Sequence, residues 1–216
     1  TVVILDPGIC VANDYEVYDD GVANDVYVKY PDGEPYLADV WPGTCAFPDF
    51  TKPIARQWWG KWLQKNVDDG LMGFWNDMNE PASWGQFMPN HMEFNYDNNP
   101  TTHREARNVY GMQMSRSTYE GAKQHLNGQR PFILTRAGFS GIQRYSAVWT
   151  GDNVASDEHF LVGVRLLNSL GLTGVAFSGY DVGGFVDDAS PELFARWIAV
   201  GAFTPFVRCH SMVNTR

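Results

Sequence analysis

Short apolar runs that end in a polar residue recur along the chain. The run from Leu71 to Trp75 is followed by Asp77 and is stopped by Pro81. A run of this length, bounded by turn-forming residues, predicts a short buried strand. The same pattern predicts five further strands, at residues 2–5, 132–136, 147–150, 174–177 and 204–207.

Helices are predicted between most of these strands. Ile54, Trp58 and Trp62 recur at the spacing of one helix face, which predicts a helix over residues 53–67 with Thr51 as its N-terminal cap. Three more helices are predicted, at 102–126, at 156–170 with a serine cap and at 190–200 with a Ser-Pro start. The polar and aromatic segment 11–50 predicts a loop that carries a hairpin, and 82–100 predicts a loop.

This alternation of strands and helices implies parallel βα units. A polar residue lies at or just after the end of each predicted strand, and in a parallel barrel these residues would converge on one face. They are Asp6, Asp77, Arg136, Asp152, Asp181 and His210. An open doubly wound sheet would keep most of them apart, and the glycine-rich turns lack the GxGxxG and GxxxxGK phosphate-binding patterns.

The fold class that these features predict is α/β, a (β/α)8 TIM barrel. Such a barrel has eight strands in about 250 residues, whereas this chain has 216 residues. We therefore expect residues 1–216 to form one barrel domain, incomplete on its N-terminal side, that covers roughly the last six strands. The first residue already lies in a strand-like run, so we expect a longer protein whose flanking domains pack against this one.

Composition narrows the range of partners. The net charge of −9 argues against nucleic acid or an anionic membrane. No apolar run reaches the roughly 18 residues of a membrane-spanning helix. The 3 cysteines are widely spaced and form no zinc pattern, so they are interpreted as free thiols, and they fix no cellular compartment. The 8 Trp, 10 Tyr and 13 Phe residues could build a core and could also stack on sugar rings.

The carboxylates suggest the chemistry. Two carboxylates on either side of a glycosidic bond suffice to hydrolyse it, because one acts as nucleophile or base while the other protonates the leaving oxygen. Asp77 beside Trp75 and Asp152 beside Trp149 provide such groups. In an extended chain Asp77 and Glu80 would lean to opposite faces, so a carboxylate on another strand can approach Asp77 more freely. Spacing alone leaves the pairing open.

The motifs carry a family resemblance. Residues 75–81, Trp-Asn-Asp-Met-Asn-Glu-Pro, closely resemble the nucleophile motif of glycoside hydrolase family 31, the α-glucosidase and α-xylosidase family. Further matches keep the family's order over nearly the whole chain. They lie at residues 4–8, 40–43, 47–50, 143–145, 149–153, 180–185 and 206–210. As a set these motifs are highly specific.

The resemblance implies a (β/α)8 barrel and a retaining mechanism on α-linked sugars, with neither a metal nor another cofactor. Asp77 would be the nucleophile, Asp152 the general acid and then the general base, and Glu80 would orient Arg136. Retention would place the two carboxyl groups about 5–5.5 Å apart. Nine positions match those around the family's terminal sugar: Asp6, Trp41, Trp75, Met78, Arg136, Trp149, Asp181, Phe185 and His210.

The function expected from the resemblance is an exo-acting α-glucosidase that releases terminal glucose from an α-linked oligosaccharide or α-glucoside. α-Xylosidase, α-transglucosylase or lyase activity would use the same carboxylates and stays open, as does a catalytically inactive sugar-binding relative. A metal-dependent barrel hydrolase could use Asp6, Asp77, Asp181 and His210, although the sequence holds no HxH or HxxE ligand pair.

Five of the candidate residues also have a purely structural interpretation. Trp41 and Trp75 could belong to the core. His210 could be a structural histidine, and Asp6 and Asp181 could cap the turns that follow them. Exposure and hydrogen bonding of the side chains distinguish these interpretations.

Overall fold

The computed structural model describes residues 1–213 and divides into two compact units, the first from Thr1 to Phe139 and the second beginning at Ser140. The elements of unit 1 are, in chain order, β1 (Val2–Leu5), β2 (Ile9–Cys10), α1 (Glu16–Ala23), β3 (Leu37–Val40), β4 (Gly43–Ala46), α2 (Pro53–Trp62), α3 (Gln64–Asp68), β5 (Gly73–Asn76), β6 (Glu93–Tyr96), β7 (Asn99–Thr102), α4 (His103–His125) and β8 (Phe132–Thr135). Those of unit 2 are a 3-10 turn (Ile142–Arg144), β9 (Ala147–Trp149), α5 (Asp157–Leu172), β10 (Ser178–Asp181), α6 (Pro191–Gly201) and β11 (Phe206–Arg208).

Each unit is built around parallel strands. In unit 1 β5 lies between β1 and β8 and runs parallel to both. In unit 2 β10 lies between β9 and β11, with Gly179 opposite Trp149 on one side and Phe206 on the other. Helices connect successive parallel strands within each unit. The parallel βα units predicted from the sequence are therefore confirmed.

The core of unit 1 is aromatic and closely packed. The Phe50 ring contacts the rings of Trp59 and Tyr110 edge to face, at centroid distances of 5.1 and 5.3 Å. Helices α2 and α4 approach each other at Gly60 and Gly121, where a Cβ on Gly121 would lie 2.3 Å from the Gly60 Cα. This helix contact therefore depends on glycine at position 121.

The smaller core of unit 2 surrounds Trp197 of α6, which is fully buried. Its indole contacts the rings of Phe160 and Tyr180 at centroid distances of 5.5 and 5.8 Å. Val182 and Leu193 complete this cluster. The cluster joins α5 and α6 to the strand that ends in Asp181.

The predicted cap at Ser156 and the predicted Ser-Pro start of the last helix are confirmed, whereas the predicted cap at Thr51 is wrong. Ser156 and Ser190 each accept a hydrogen bond from the backbone N–H three residues on, at 3.2 and 3.1 Å, and so begin α5 and α6. Thr51 does not cap α2, because its hydroxyl donates to the carboxylate of the buried Asp49. That carboxylate also accepts the backbone N–H of Asn95, at 2.8 Å.

The helix predicted over residues 53–67 is in fact two helices, α2 and α3. Its buried face also differs from the prediction. Ile54 is 45% exposed, whereas Trp58 and Trp59 are buried. Since both indoles turn toward the core, the buried stripe is centred between them rather than on the line from Ile54 to Trp62.

The strand predicted at 174–177 is wrong, because β10 lies four residues later, at Ser178–Asp181. The apolar side chains before it favoured the earlier position. Gly179 explains the observed one, since a Cβ there would lie 1.9 Å from the Phe206 carbonyl oxygen of β11. Glycine thus permits close approach of the neighbouring backbone. The last strand is also shifted from 204–207, to Phe206–Arg208.

The two predicted loops contain more regular structure than expected. The hairpin predicted within 11–50 is confirmed as β3–β4, but α1 in the same segment was missed. The 82–100 segment holds most of a second hairpin, β6–β7. Its turn residues Asp97 and Asn98 both have positive φ, of 46° and 69°, which is typical of a two-residue hairpin turn.

The cysteines are free thiols, as predicted: Cys45 is buried, Cys10 is partly buried and Cys209 is exposed. Among the helices of residues 1–213, none is both long enough and apolar enough to cross a membrane.

Candidate active site

Asp77 lies directly after β5, at the carboxyl end of the strand. Its backbone N–H donates to the Leu5 carbonyl at 3.1 Å, which extends the pairing of β5 with β1 by one residue. Met78 follows with a φ of 55°, so the chain turns sharply there. As a result the carboxylates of Asp77 and Glu80 reach the same guanidinium. The expectation that they lean to opposite faces is wrong, because it assumed an extended backbone.

Arg136 follows β8 and is the guanidinium that these carboxylates share. Its Nη1 lies 3.1 Å from Asp77 Oδ1. Its Nε and Nη2 donate to the two Glu80 carboxylate oxygens at 2.9 and 3.0 Å, and Nη2 also lies 3.3 Å from the Met78 sulfur. A two-pronged pair of this kind fixes the plane of the guanidinium. Glu80 thereby holds Arg136 in the orientation that contacts Asp77.

Asn79 positions the residues on either side of Arg136. It is fully buried, and its Nδ2 donates to Thr135 Oγ1 at 2.8 Å. Its Oδ1 accepts the Ala137 backbone N–H at 3.0 Å. The sequence interpretation gave Asn79 no role, although its place between Met78 and Glu80 in the motif was a usable signal.

Asp6 lies after β1 and interacts electrostatically with the same cluster. Burial and the nearby charge of Asp77 raise the pKa of Asp6 from 3.8 to about 6, while Arg136 opposes this shift. The Asp6 Oδ1 is buried and has no hydrogen-bond partner among the described residues. That oxygen therefore caps no turn, and a polar group entering the site could bind it.

Trp41 lies in the β3–β4 turn and is 71% exposed, so its interpretation as a core residue is wrong. Its ring meets the half-exposed Trp84 ring at 4.8 Å and an interplanar angle of 84°. The Trp84 backbone N–H donates to the Asp39 carbonyl at 2.9 Å, which ties its loop to β3. Trp75 of β5 is partly buried. Trp84 was not among the predicted site residues, and only its position three residues after Pro81 could have indicated it.

In unit 2 Asp152 lies three residues after Trp149, the last residue of β9. The Trp149 side chain is buried, whereas Asp152 is exposed. The carbonyl of Asn153 accepts the backbone N–H groups of Phe185 and Val186 at 2.7 and 3.0 Å. The Asp152 loop is therefore tied to the loop that follows β10.

Asp181 ends β10 and is fully buried. Its carboxylate pairs with Arg208, which lies opposite it in register on β11. Burial raises the pKa of Asp181, and the Arg208 charge opposes that shift. The guanidinium also lies 5.0 Å from the Trp149 ring centroid, within cation–π range. The turn-capping interpretation of Asp181 is therefore wrong, and the sequence interpretation missed Arg208 as its partner.

Phe185 and His210 form a stacked pair, with ring centroids 5.2 Å apart and an interplanar angle of 23°. The Met212 backbone N–H donates to the Phe185 carbonyl at 2.9 Å. Unit 2 thus brings together two of its predicted site residues directly and links their loops through the backbone.

Unit 1 provides a carboxylate held by a fixed guanidinium, a neighbouring carboxyl of raised pKa and an exposed aromatic pair. Unit 2 provides an exposed carboxylate on a braced loop. Carboxylates of these kinds can attack or protonate a glycosidic bond, and exposed aromatic faces suit sugar rings. Within residues 1–213 no group of three or more His, Cys, Asp or Glu side chains is placed to hold a metal ion.

Comparisons with known proteins agree over the whole chain. Residues 1–216 match the family profile described as the glycosyl hydrolases family 31 TIM-barrel domain. Alpha-glucosidase 2 of Bacillus thermoamyloliquefaciens is 49% identical over 215 residues, which are 99% of this chain and 27% of that protein.

Two solved structures show the same fold. A family 31 alpha-glucosidase from Bacteroides thetaiotaomicron is 42% identical with a TM-score of 0.84, covering 100% of this chain and 35% of that chain. A Flavobacterium johnsoniae GH31 dextranase, complexed with glucose, is 31% identical with a TM-score of 0.87, covering 99% of this chain and 28% of the other.

The chain spans about a quarter of the length of the curated relatives it matches. Its parallel βα units agree with the TIM barrel that the family profile describes, so the predicted fold class is confirmed. By the match over all its residues, the chain belongs to glycoside hydrolase family 31.

Proposed function

We propose that this chain is the catalytic barrel segment of a retaining, exo-acting α-glucosidase. The observation that carries the proposal is the Asp77–Arg136–Glu80 cluster at the carboxyl ends of β5 and β8. The guanidinium stabilises the ionised form of Asp77 and is itself fixed by Glu80. An ionised, oriented carboxylate is what nucleophilic attack on a sugar carbon requires. The similarity to α-glucosidases supports the substrate class.

The reaction proceeds in two displacements. Asp77 attacks the anomeric carbon of a terminal α-linked glucose while Asp152 protonates the leaving oxygen. A β-glycosyl ester forms on Asp77, and Asp152 then removes a proton from the water that releases the sugar. The exposure of Asp152 supports this second role, because an exposed side chain can meet an incoming water molecule. Two inversions at the same carbon give net retention, and the two carboxyl groups should lie about 5–5.5 Å apart.

The remaining residues would bind the terminal sugar. In unit 1 the free oxygen of Asp6 can accept a sugar hydroxyl, and exposed Trp41 offers a flat apolar face. In unit 2 the stacked Phe185 and His210 rings offer a second flat surface. Four further residues would shape the site through the packing described above: Trp75, Met78, Trp149 and Asp181. An α-linked oligosaccharide or α-glucoside would bind with its non-reducing end in the site, and flanking domains of the complete protein would pack against the barrel.

A second activity within the family, dextranase activity, is favoured by one specific observation. The similar Flavobacterium structure is a dextranase, so the same fold supports more than one substrate. α-Xylosidase and α-transglucosylase activities remain candidates for the same reason. Product analysis with maltose, isomaltose and an aryl α-xyloside separates these candidates. Maltose and isomaltose both yield glucose and differ in which linkage is cleaved, the xyloside yields xylose, and a transglucosylase gives a transfer product.

The test is covalent trapping of the complete natural gene product with 5-fluoro-α-glucosyl fluoride, followed by peptide mass mapping. We expect a fluoroglucosyl adduct on Asp77, and no adduct in the Asp77→Asn variant. An adduct on Glu80 would keep the mechanism and overturn the assignment of the nucleophile. Sugar binding by a folded protein that forms no adduct and releases no sugar from any of these substrates would instead support the sugar-binding interpretation.

A further inference from the structure

Cys10 and Cys45 lie directly opposite each other in the antiparallel pair formed by β2 and β4. Residues in direct register across a pair of strands project their side chains from the same face of the sheet. The two thiols therefore point in the same direction from adjacent strands, although 34 positions of the chain separate them.

The hydrogen-bond pattern places the cysteines at the closer of the two pair types. The Val11 backbone N–H donates to the Thr44 carbonyl at 2.9 Å, so residues 11 and 44 are a hydrogen-bonded pair. Pair types alternate along an antiparallel ladder, and the next pair, Cys10 and Cys45, is therefore of the non-hydrogen-bonded type. Such pairs have Cα atoms about 4.5 Å apart, which is inside the roughly 4.4–6.8 Å range of disulfides.

The surroundings of the two thiols differ. Cys45 is fully buried, and burial, together with the charge that a Cys10 thiolate would carry, raises the pKa of Cys45 to about 12. Cys10 is partly exposed and lies 3.8 Å from the Pro42 carbonyl. A soluble reagent can therefore reach Cys10, whereas Cys45 can be reached through Cys10.

We propose that Cys10 and Cys45 form a reversible disulfide when the protein meets a low-molecular-weight disulfide such as oxidised glutathione. The Cys10 thiolate attacks one sulfur of the reagent, breaks its S–S bond and releases one thiolate. Cys45 then loses its proton and attacks the Cys10 sulfur, which releases the second thiolate. The two cysteines lose two electrons and two protons, and the reagent becomes two thiols.

The bond would connect two segments that carry candidate site residues. Cys10 is four residues after Asp6, and Cys45 is four residues after the exposed Trp41 of the β3–β4 turn. A disulfide closes a loop of this length and limits the unfolded chain more than the folded one. Oxidation should therefore raise the melting temperature of the complete protein, and dithiothreitol should reverse the change.

The experiment treats the complete natural gene product with oxidised glutathione, blocks remaining thiols with iodoacetamide and digests it with trypsin without reduction. Trypsin cuts after Lys29 and Arg56 but not before Pro53, so Cys45 lies in peptide 30–56 and Cys10 lies upstream. We expect a linked peptide pair whose mass is the sum of the two peptides less two hydrogen atoms. Dithiothreitol should separate the pair.

Cys209 supplies the internal control, because it is exposed and should take up glutathione without a partner. Glutathione on Cys209 together with alkylated Cys10 and Cys45 would overturn the proposal, since the reagent was then demonstrably active. The Cys209→Ser variant should still form the linked pair, and its loss there would show that the bond arises by scrambling. The Cys10→Ser variant, changed at the partly exposed position, should lose both the linked pair and the oxidative rise in melting temperature.

Discussion

Two arginines each bind a strand-end carboxylate, and their surroundings differ sharply. Arg136 in unit 1 meets Asp77 and Glu80, and its charge also acts on Asp6. Arg208 in unit 2 meets the fully buried Asp181. In unit 1 the Arg136 charge thus acts on three carboxyl groups, whereas in unit 2 the ion pair described for Arg208 joins it to one buried carboxylate.

The difference separates a chemically poised cluster from a structural pair. The raised pKa of Asp6 results first from its burial and then from the nearby charge of Asp77, and the Arg136 charge offsets these effects only in part. Removing one partner of a buried ion pair lowers the stability strongly, because the other charge is left buried without its partner. We therefore expect changes around Arg136 to act mainly on turnover, and changes around Arg208 to act mainly on folding.

The largest expected effect tests whether the unit 1 cluster holds the nucleophile. Asp77→Asn should lower kcat by on the order of 10⁴-fold or more, because no covalent ester can form. Asp152→Asn should lower it by about 10²–10⁴-fold with an α-glucoside whose leaving group needs protonation. Steady-state assays of the complete gene product measure both. Near-normal turnover in the purified Asp77 variant would remove that residue from its role.

Replacing each arginine by methionine, in the variants Arg136→Met and Arg208→Met, tests whether the two clusters differ in this way. Arg208→Met should lower the free energy of unfolding by about 3–5 kcal/mol, because Asp181 is left buried and unpaired. Arg136→Met should cost less stability, since 45% of the Glu80 side chain is exposed. It should instead lower kcat by roughly 10²-fold or more through loss of charge beside Asp77.

Thermal and denaturant unfolding, measured beside kcat for the same two proteins, checks this contrast. The double variant Asp181→Asn/Arg208→Met should recover most of the lost stability, because it leaves no buried charge. A larger stability loss in Arg136→Met than in Arg208→Met would invert the comparison.

Local and long-range features of the fold differ in how well the sequence predicts them. Ser156 was predicted as a cap, and Ser190 with Pro191 as a helix start, because both signals depend on a few neighbouring residues. The strand at β10 was misplaced because its position depends on the contact of Gly179 with β11, which lies 27 positions further along the chain. Hydropathy follows the local chain and contains no information about such a contact.

In the candidate site, too, features that depend on neighbouring residues were predicted, whereas features that depend on distant contacts were missed. The motif at residues 75–81 contains Asp77 and Glu80, the strand-end pattern identified Arg136, and the family resemblance suggested that Glu80 orients Arg136. The Asp181–Arg208 pair was missed, since nothing local shows which residues face each other across β10 and β11. The exposure of Trp41 could not be read from the local pattern, because tryptophan side chains are highly buried on average.

A smaller effect is expected at Glu80. Glu80→Gln keeps a hydrogen-bonding side chain of the same length but loses the paired carboxylate oxygens that hold Arg136. We expect kcat to fall about 10-fold with KM nearly unchanged, because one charge-assisted contact of roughly 1.5–3 kcal/mol is weakened. A purely structural role would instead lower the melting temperature and leave kcat per folded molecule unchanged. Asp97→Asn, which weakens the Arg56 ion pair distant in sequence, is the control.

The smallest expected effect is the pH dependence of stability that Asp6 introduces. Its pKa is raised from 3.8 to about 6, so between these values the folded chain keeps a proton that the unfolded chain has released. Stability should therefore fall as pH rises through this window and level off above about pH 6. Solvent screening of this partly exposed carboxyl reduces the expected total to about 1–2 kcal/mol.

Asp6→Asn should remove that dependence, because an amide does not titrate in this range. Denaturant unfolding midpoints of the complete gene product between about pH 4 and pH 7 measure it. Asp69→Asn makes the same chemical change at an exposed position of unit 1 and should leave the fall in place. If the Asp6 and Asp69 variants gave the same pH profile, burial and the Asp77 charge would not raise the pKa of Asp6 as described. The contrast between the Arg136 cluster and the Arg208 pair would then rest on turnover alone.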